Sequence, residues 1–151
     1  MAQTTGIING TDLVVFVHNG GSAGSIADYT AIAHLTNCSF SPTMSTREIT
    51  SKSSGGKAKH APGTLNFTAS AEGLYSHDAT YGYSQLNPLF LAGTELVIMF
   101  GDPTDGANIV HKFSALITSL PITAPMEDNA TYSAEFLGSG DYDYEAASGL
   151  F

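Results

Sequence analysis

The chain has 151 residues, 42% of them hydrophobic and only 13% charged, with a net charge of −9. That length suits one domain with a real core, and a charged share about half the usual one suggests a β-rich protein whose surface partly faces protein. The acidic balance argues against a nucleic-acid binder, which needs a basic footprint for phosphates, though not against a protein past which nucleic acid moves without sticking.

Residues 1–12 are polar and carry Asn9-Gly10 as a turn signal. This start has no basic region followed by an apolar run, and no stretch approaches the length of a membrane span. The expectation is a chain made in a cytoplasm and soluble until it assembles. Leu13 to Val17 is a short apolar run rich in β-branched residues, which predicts a buried strand. A Gly/Ser-rich loop from His18 to Asp28 follows. Thr30 to Phe40 and Met44 to Thr50 read as two strands punctuated by Pro42. The sole cysteine, Cys38, falls in the first of these as a small buried hydrophobe, and excludes an intrachain disulfide or cysteine-based metal cluster.

Thr50 to Gly63 has almost no apolar content and holds Gly55, Gly56, Pro62 and Gly63, so it predicts a long inter-strand excursion. Thr64 to Glu72 gives the clearest strand signal: Leu65, Phe67, Ala69 and Ala71 alternate with Asn66, Thr68, Ser70 and Glu72. Between Asp78 and Gly93 the period changes to that of a helix. Leu86, Leu89 and Phe90 fall on one stripe, with Ser84 as N-cap, Gly93 beyond the end and Pro88 near the first turn. Glu95 to Phe100, Ile109 to Ile122 and Ala130 to Leu137 predict three more strands. The stretch 138–151 mixes Gly, Tyr and acids and predicts a C-terminal tail that does not pack by itself. Strands, one short helix, then strands predict a mainly β single domain, a β-sandwich or closed barrel with one flanking helix.

Charge is distributed unevenly along this order. Arg47, Lys52, Lys57 and Lys59 are four of the five basic residues, and between Tyr29 and Ala71 they meet one acid, Glu48. Outside that stretch only Lys112 is basic. A basic patch on an acidic body is complementary to a second copy of itself. Such head-to-tail contacts generate rings when they close and stacks when they do not.

Catalytic signals are absent. His18, His34, His60, His77 and His111 are scattered without metal-ligand spacing, and the adjacent pair His77-Asp78 is not diagnostic. The stretch Asp102 to Gly106 resembles half a calcium loop but has Phe113 where a bidentate Glu belongs. Glu127 and Asp128 are neighbours and would point to opposite faces of a strand. The expectation is no enzyme, no metal and no cofactor.

Five blocks carry a resemblance: MAQTTGIINGTDL at residues 1–13, MSTREITSKSSGG at 44–56, SAEGL at 70–74, ALITS at 115–119 and APMEDNATYSAEF at 124–136. Together, and in this order over nearly the whole chain, they resemble the major tail protein (tail tube protein) of long-tailed bacteriophages, the TP901-1-like family. The departures are Lys57-Ala58-Lys59, where the family often has an aromatic residue and an acid, and a longer Gly-rich insertion near residues 19–28. The resemblance implies a virion structural protein of the tail, made in the host bacterial cytoplasm and stacked as hexameric rings into a hollow tube through which DNA leaves. It implies a tape-measure protein inside, tail-terminator and distal-tail or baseplate proteins at the ends, and no membrane.

In that setting the 50–63 loop becomes a stacking loop, with Arg47, Lys52, Gly55, Gly56, Lys57 and Lys59 as contact residues. The N-terminal arm and C-terminal tail complete the contacts. Glu72, Glu95 and Glu135, on the polar side of strand patterns, are candidates to face the lumen, where acids would repel phosphates. A competing reading is a decoration or adhesion module on a phage or tail-like particle. The match between basic loop and acidic body favours assembly.

Overall fold

The computed structural model describes residues 9–18, 28–77, 81–102 and 108–146. The start of the N-terminal arm, most of the 18–28 loop, Asp78, most of the calcium-loop-like turn and residues 147–151 lie outside that set. After a single 3-10 turn at Gly10–Asp12, the strands run β1 (Val14–His18), β2 (Tyr29–Ala31), β3 (Leu35–Glu48) and β4 (His60–Leu74). One helix, α1 (Tyr83–Ala92), precedes β5 (Leu96–Gly101), β6 (Ile109–Ser119), β7 (Ile122–Thr123) and β8 (Thr131–Ala146). The described strands form one antiparallel sheet in the order β2-β1-β5-β6-β8-β4-β3, with β7 added beside β8.

The sheet rolls around its apolar face. Val15, Val17, Ile98, Phe113, Ala115, Phe67, Ala71, Ala134 and Phe136 converge there, none more than 4% exposed. Rolling brings β3 back towards the other end of the strand order. Phe40 of β3 stacks on Phe100 of β5 with ring centroids 6.1 Å apart, and the Cys38 thiol donates to the Leu13 carbonyl. No strand pairing joins β3 to β1 or β2 among the described residues, so the barrel is rolled but not closed. A smaller cluster of Tyr29, Met99 and Val110 buries the opposite face of the β1–β5–β6 part.

Helix α1 packs on the core through Leu86, which is fully buried. Its cap differs from the sequence expectation. Gly82 is the N-cap, and its N–H donates to the Gln85 side chain at 2.9 Å, while Ser84 is already helical. Pro88 lies in mid-helix rather than in the first turn; it removes one backbone bond from an element anchored mainly by its buried face. Gly93 ends the helix at φ 66°, in the left-handed region that glycine enters at no steric cost.

Two further expectations are corrected. Pro42 does not separate two strands but sits inside β3, opposite Phe67. An edge strand tolerates proline because the missing N–H can face away from the ladder. The stretch 138–146 is not a loose tail. It continues β8, pairing Tyr142 with Phe113, Tyr144 with His111 and Ala146 with Ile109. The Tyr142 ring packs within 5.4 Å of Phe67 and 5.6 Å of Phe40, which gives this half of the strand its apolar anchor.

Candidate assembly surfaces

The excursion read from residues 50–63 is the end of a long β3–β4 hairpin. Pairing runs out to Glu48 opposite His60, so Pro62 and Gly63 belong to a strand. The hairpin leaves the body near Ser41 and Phe67. Beyond that point every described residue is exposed except Ser54 and Ala61, which are half-buried. Seven residues from Asn66 down to His60 span roughly 20 Å at a strand's rise, so this is a two-stranded arm projecting from the domain. A bulge on β4, which sets Gly63 and Thr64 opposite Ser45, shifts its register, and the Ser45 hydroxyl accepts from the Thr64 N–H at 2.8 Å. Bulges of this kind bend the strand that carries them.

The tip is ordered by its own hydrogen bonds. The Ile49 N–H donates to the Lys59 carbonyl at 2.7 Å, and the Lys59 N–H donates to the Thr50 hydroxyl at 3.0 Å. Lys52–Ser54 forms one 3-10 turn, and the Ser51 N–H donates to the Ser54 hydroxyl. Two successive positive φ angles, 64° at Gly55 and 76° at Gly56, reverse the chain. Side chains rarely adopt that pair of conformations, which is the local reason for Gly-Gly. Lys52, Lys57 and Lys59 are all exposed on this tip, and Arg47 stands further down, opposite Ala61. The structure therefore brings the stacking residues named from sequence onto one arm.

The second surface is the polar face of β3, β4 and β8. Ser39 pairs with Ser70, Asn37 with Glu72, Ser70 with Glu135 and Glu72 with Ser133. Paired residues share a face, so Glu72 and Glu135 are diagonal neighbours, roughly 7–8 Å apart at the backbone. Hydroxyls around them are turned onto the sheet. The Ser39 and Ser70 hydroxyls lie 2.7 Å apart, the Thr68 hydroxyl donates to the Ser41 carbonyl, and that of Thr118 to the Glu135 carbonyl. A shallow trough of about 400 Å³ runs over Ser39, Thr68, Ser70, Thr118 and Glu135. Glu95 does not join this group, because it lies in the turn between α1 and β5, beside Thr94 and Ser84 on a groove along the helix.

Sequence reasoning missed a third surface. From Pro121 to Asn129 every residue is exposed, and Met126 reaches 91%. Glu127 and Asp128 lie in a turn here, not in a strand, with Glu127 at φ 62° and the Asp128 carboxylate accepting from the Asn129 N–H at 2.7 Å. The signal was available as Pro121 and Pro125 bracketing a short apolar pair.

No group of three or more metal-ligating side chains gathers among the described residues. His111 is used structurally. It pairs with Tyr142 through a 2.6 Å contact between Nδ1 and the phenol oxygen and lies between Phe40 and Tyr144 at 4.8 Å from each, while burial holds its pKa below the ordinary value.

Solved structures share this fold. The tail of an empty gene transfer agent particle, refined with C6 symmetry, is 21% identical with a TM-score of 0.77, covering 93% of this chain and 100% of that chain. The virion of a native gene transfer agent particle is 19% identical with a TM-score of 0.74 over the same shares. The SPP1 tail tube is 12% identical with a TM-score of 0.72, covering 93% of this chain and 80% of that chain. No curated protein matches the chain. The profile of the phage tail tube proteins matches residues 7–144, from the N-terminal arm to the last described part of β8, and the chain belongs to that family.

Proposed function

We propose that copies of this chain form hexameric rings that stack into the hollow tail tube of a phage or gene-transfer particle, a conduit for DNA. The observation that carries the lumen is the polar face. Leu35 to Ser41 of β3, with β4 and β8, present hydroxyls, amides, Glu72 and Glu135 there, and no Lys or Arg falls in those stretches; Arg47 lies further out on the arm. Holding DNA requires cationic contacts with phosphates, and a wall of this composition lets it pass. The C6 symmetry of the similar gene transfer agent tail supports six copies per ring.

Among the described strands two edges remain open for lateral growth, β3 on one side and β2 on the other. Joining them between neighbours would satisfy the unpaired backbone groups and close a continuous wall. The basic arm bridges rings axially through Lys52, Lys57 and Lys59. Within the particle the same reading places a tape-measure protein inside the tube, with terminator and distal-tail or baseplate proteins at its ends. The chain is made in the host cytoplasm.

The test is electron microscopy of the purified full-length protein in negative stain across a concentration series. Six-fold rings or tubes of uniform width are expected. A chain that stays monomeric at high concentration in low salt would overturn the proposal and return a decoration or adhesion role to first place.

A further inference from the structure

The two ends of the strands differ in charge and resemble each other in one respect. β4 runs from His60, at the root of the basic tip, to Leu74, where it pairs with Thr131 of β8. Thr131 pairs in turn with Thr123 of β7, and the Tyr75 N–H donates to the Ala130 carbonyl. The exposed turn from Pro121 to Asn129 therefore lies at the opposite end of β4 from the tip, roughly 50 Å away along fifteen residues of strand. That far end carries Glu72, Glu127 and Asp128, and no Lys or Arg among the described residues. The tip carries Lys52, Lys57 and Lys59.

Each end also exposes large apolar side chains among its charges. At the tip Ile49 is 45% exposed, and at the far turn Met126, 91% exposed, stands beside Ile122 at 46%. Neither Ile49 nor Met126 packs on its own domain as a core residue would. The turn is held ready for contact. Pro121 and Pro125 restrict its backbone, β7 ties it to β8, and Glu127 is kept in the left-handed region. Preorganisation of this kind lowers the ordering cost of association, and methionine adapts its shape to an irregular partner.

We infer that the turn from Pro121 to Asn129 is the acceptor for the basic tip of a second copy. Met126 meets Ile49, and Glu127 and Asp128 face the lysines around it. This rests on the stacking role of the arm proposed above and deepens it by naming the surface on the partner copy. One end of each copy is then a key and the other its lock, so the contact is head to tail and does not close on itself.

Charge exchange and crosslinking on the full-length chain test it. Replacing Glu127 and Asp128 by Lys is expected to raise the concentration needed for tube formation at least tenfold, as is replacing Lys52, Lys57 and Lys59 by Glu. Combining both sets in one chain is expected to restore most of the loss, because the charges are complementary again. With Cys38→Ser as background, Ile49→Cys and Met126→Cys in one chain should give, on oxidation, a ladder of covalent multimers, since every copy carries both partners. Met126→Cys without Ile49→Cys should stop at dimers.

Normal tubes from the Glu127→Lys, Asp128→Lys variant together with no ladder would overturn the acceptor while leaving the arm's role intact, provided the lysine variant still fails to assemble. Normal tubes from the lysine variant would instead remove the stacking role itself. Thermal melts of the variants control for folding, and these exposed positions are expected to leave the melting temperature unchanged.

Discussion

Replacing Gly138 by alanine puts one methyl group where the structure has no room for it. A Cβ built at Gly138 falls within the ring of Phe67. The φ angle of Gly138 is not positive, so backbone strain is not at issue and the cost is steric. Phe67 is 4% exposed and cannot swing clear, because its ring stands edge-on to Phe113 at 5.4 Å and tilted against Tyr142 at the same distance. Overpacking of a tight core costs about 1–3 kcal/mol, and the displaced ring adds off-rotamer strain within that range. At a urea m-value of about 1–3 kcal/mol/M the unfolding midpoint falls by roughly 1 M.

Far-UV circular dichroism during urea titration of dilute, unassembled protein measures this. Assembly would stabilise the folded state by mass action and must be kept out. Phe67→Leu in the Gly138→Ala background supplies the mechanism control. If the clash is the cause, the double variant is less destabilised than the sum of the singles, with a coupling of about 0.5–3 kcal/mol. A Gly138→Ala chain within about 0.5 kcal/mol of the parent, or simple additivity with Phe67→Leu, would refute the reasoning.

Leu86→Ala should destabilise by about 2–5 kcal/mol through a cavity under α1, read as an earlier thermal midpoint. The Lys52, Lys57 and Lys59 to Glu variant should melt like the parent. Exposed pairs contribute about 0.2–1 kcal/mol each, so reversing three raises the critical concentration for tubes about tenfold or more, by sedimentation; salt should weaken the parent's assembly in the same direction. Glu72→Lys with Glu135→Lys should leave tubes intact but make them retain a DNA duplex at low salt, by co-sedimentation. His111 has a folded pKa lowered by burial, so the unfolded chain takes up the proton first. Stability is full above about pH 6.5, falls as pH drops from there towards the folded pKa, and levels below it. His111→Gln, which keeps an acceptor for the Tyr142 hydroxyl, should flatten that acid-side loss in urea titrations at pH 7.5 and 5.5.

Much of this architecture was legible because period-2 patterning is a local record of burial. Phe67, Ala69 and Ala71 alternate with polar residues and are buried as expected, and Tyr132, Ala134 and Phe136 repeat the pattern on β8. The last nine residues of β8 escaped because Gly138, Gly140 and three acids mask an alternation that continues through Tyr142 and Tyr144 on one side and Asp141 and Asp143 on the other. Only the cross-strand partners Phe113 and His111, distant in sequence, show which side is the core. The clustered lysines were visible as a chemical anomaly, but the hairpin that carries them was not. Residues 57–63 lack an apolar face because no described part of this domain lies beneath them. Glu95 shares polar character with Glu72 and Glu135 and was grouped with them for that reason, yet its turn beside α1 is set by the helix end at Gly93.

The open edge of β3 explains why two joints fit on one hairpin. Fourteen residues of unprotected strand would ordinarily template uncontrolled pairing with other chains. Pro42 lacks the N–H that a partner strand would need, and three residues later a bulge on β4, with Gly63 and Thr64 opposite Ser45, bends the hairpin. A neighbour's edge can therefore run in register along Asn37 to Ser41, beyond the bulge at Thr36 and where β3 lies on the body, but not continue out along the arm. In the proposed tube the base of the hairpin serves lateral closure of a ring and its basic end serves stacking. The interruption at Pro42 and Ser45 keeps the two contacts from competing for the same strand, so rings and stacks can form from one chain without either joint consuming the other.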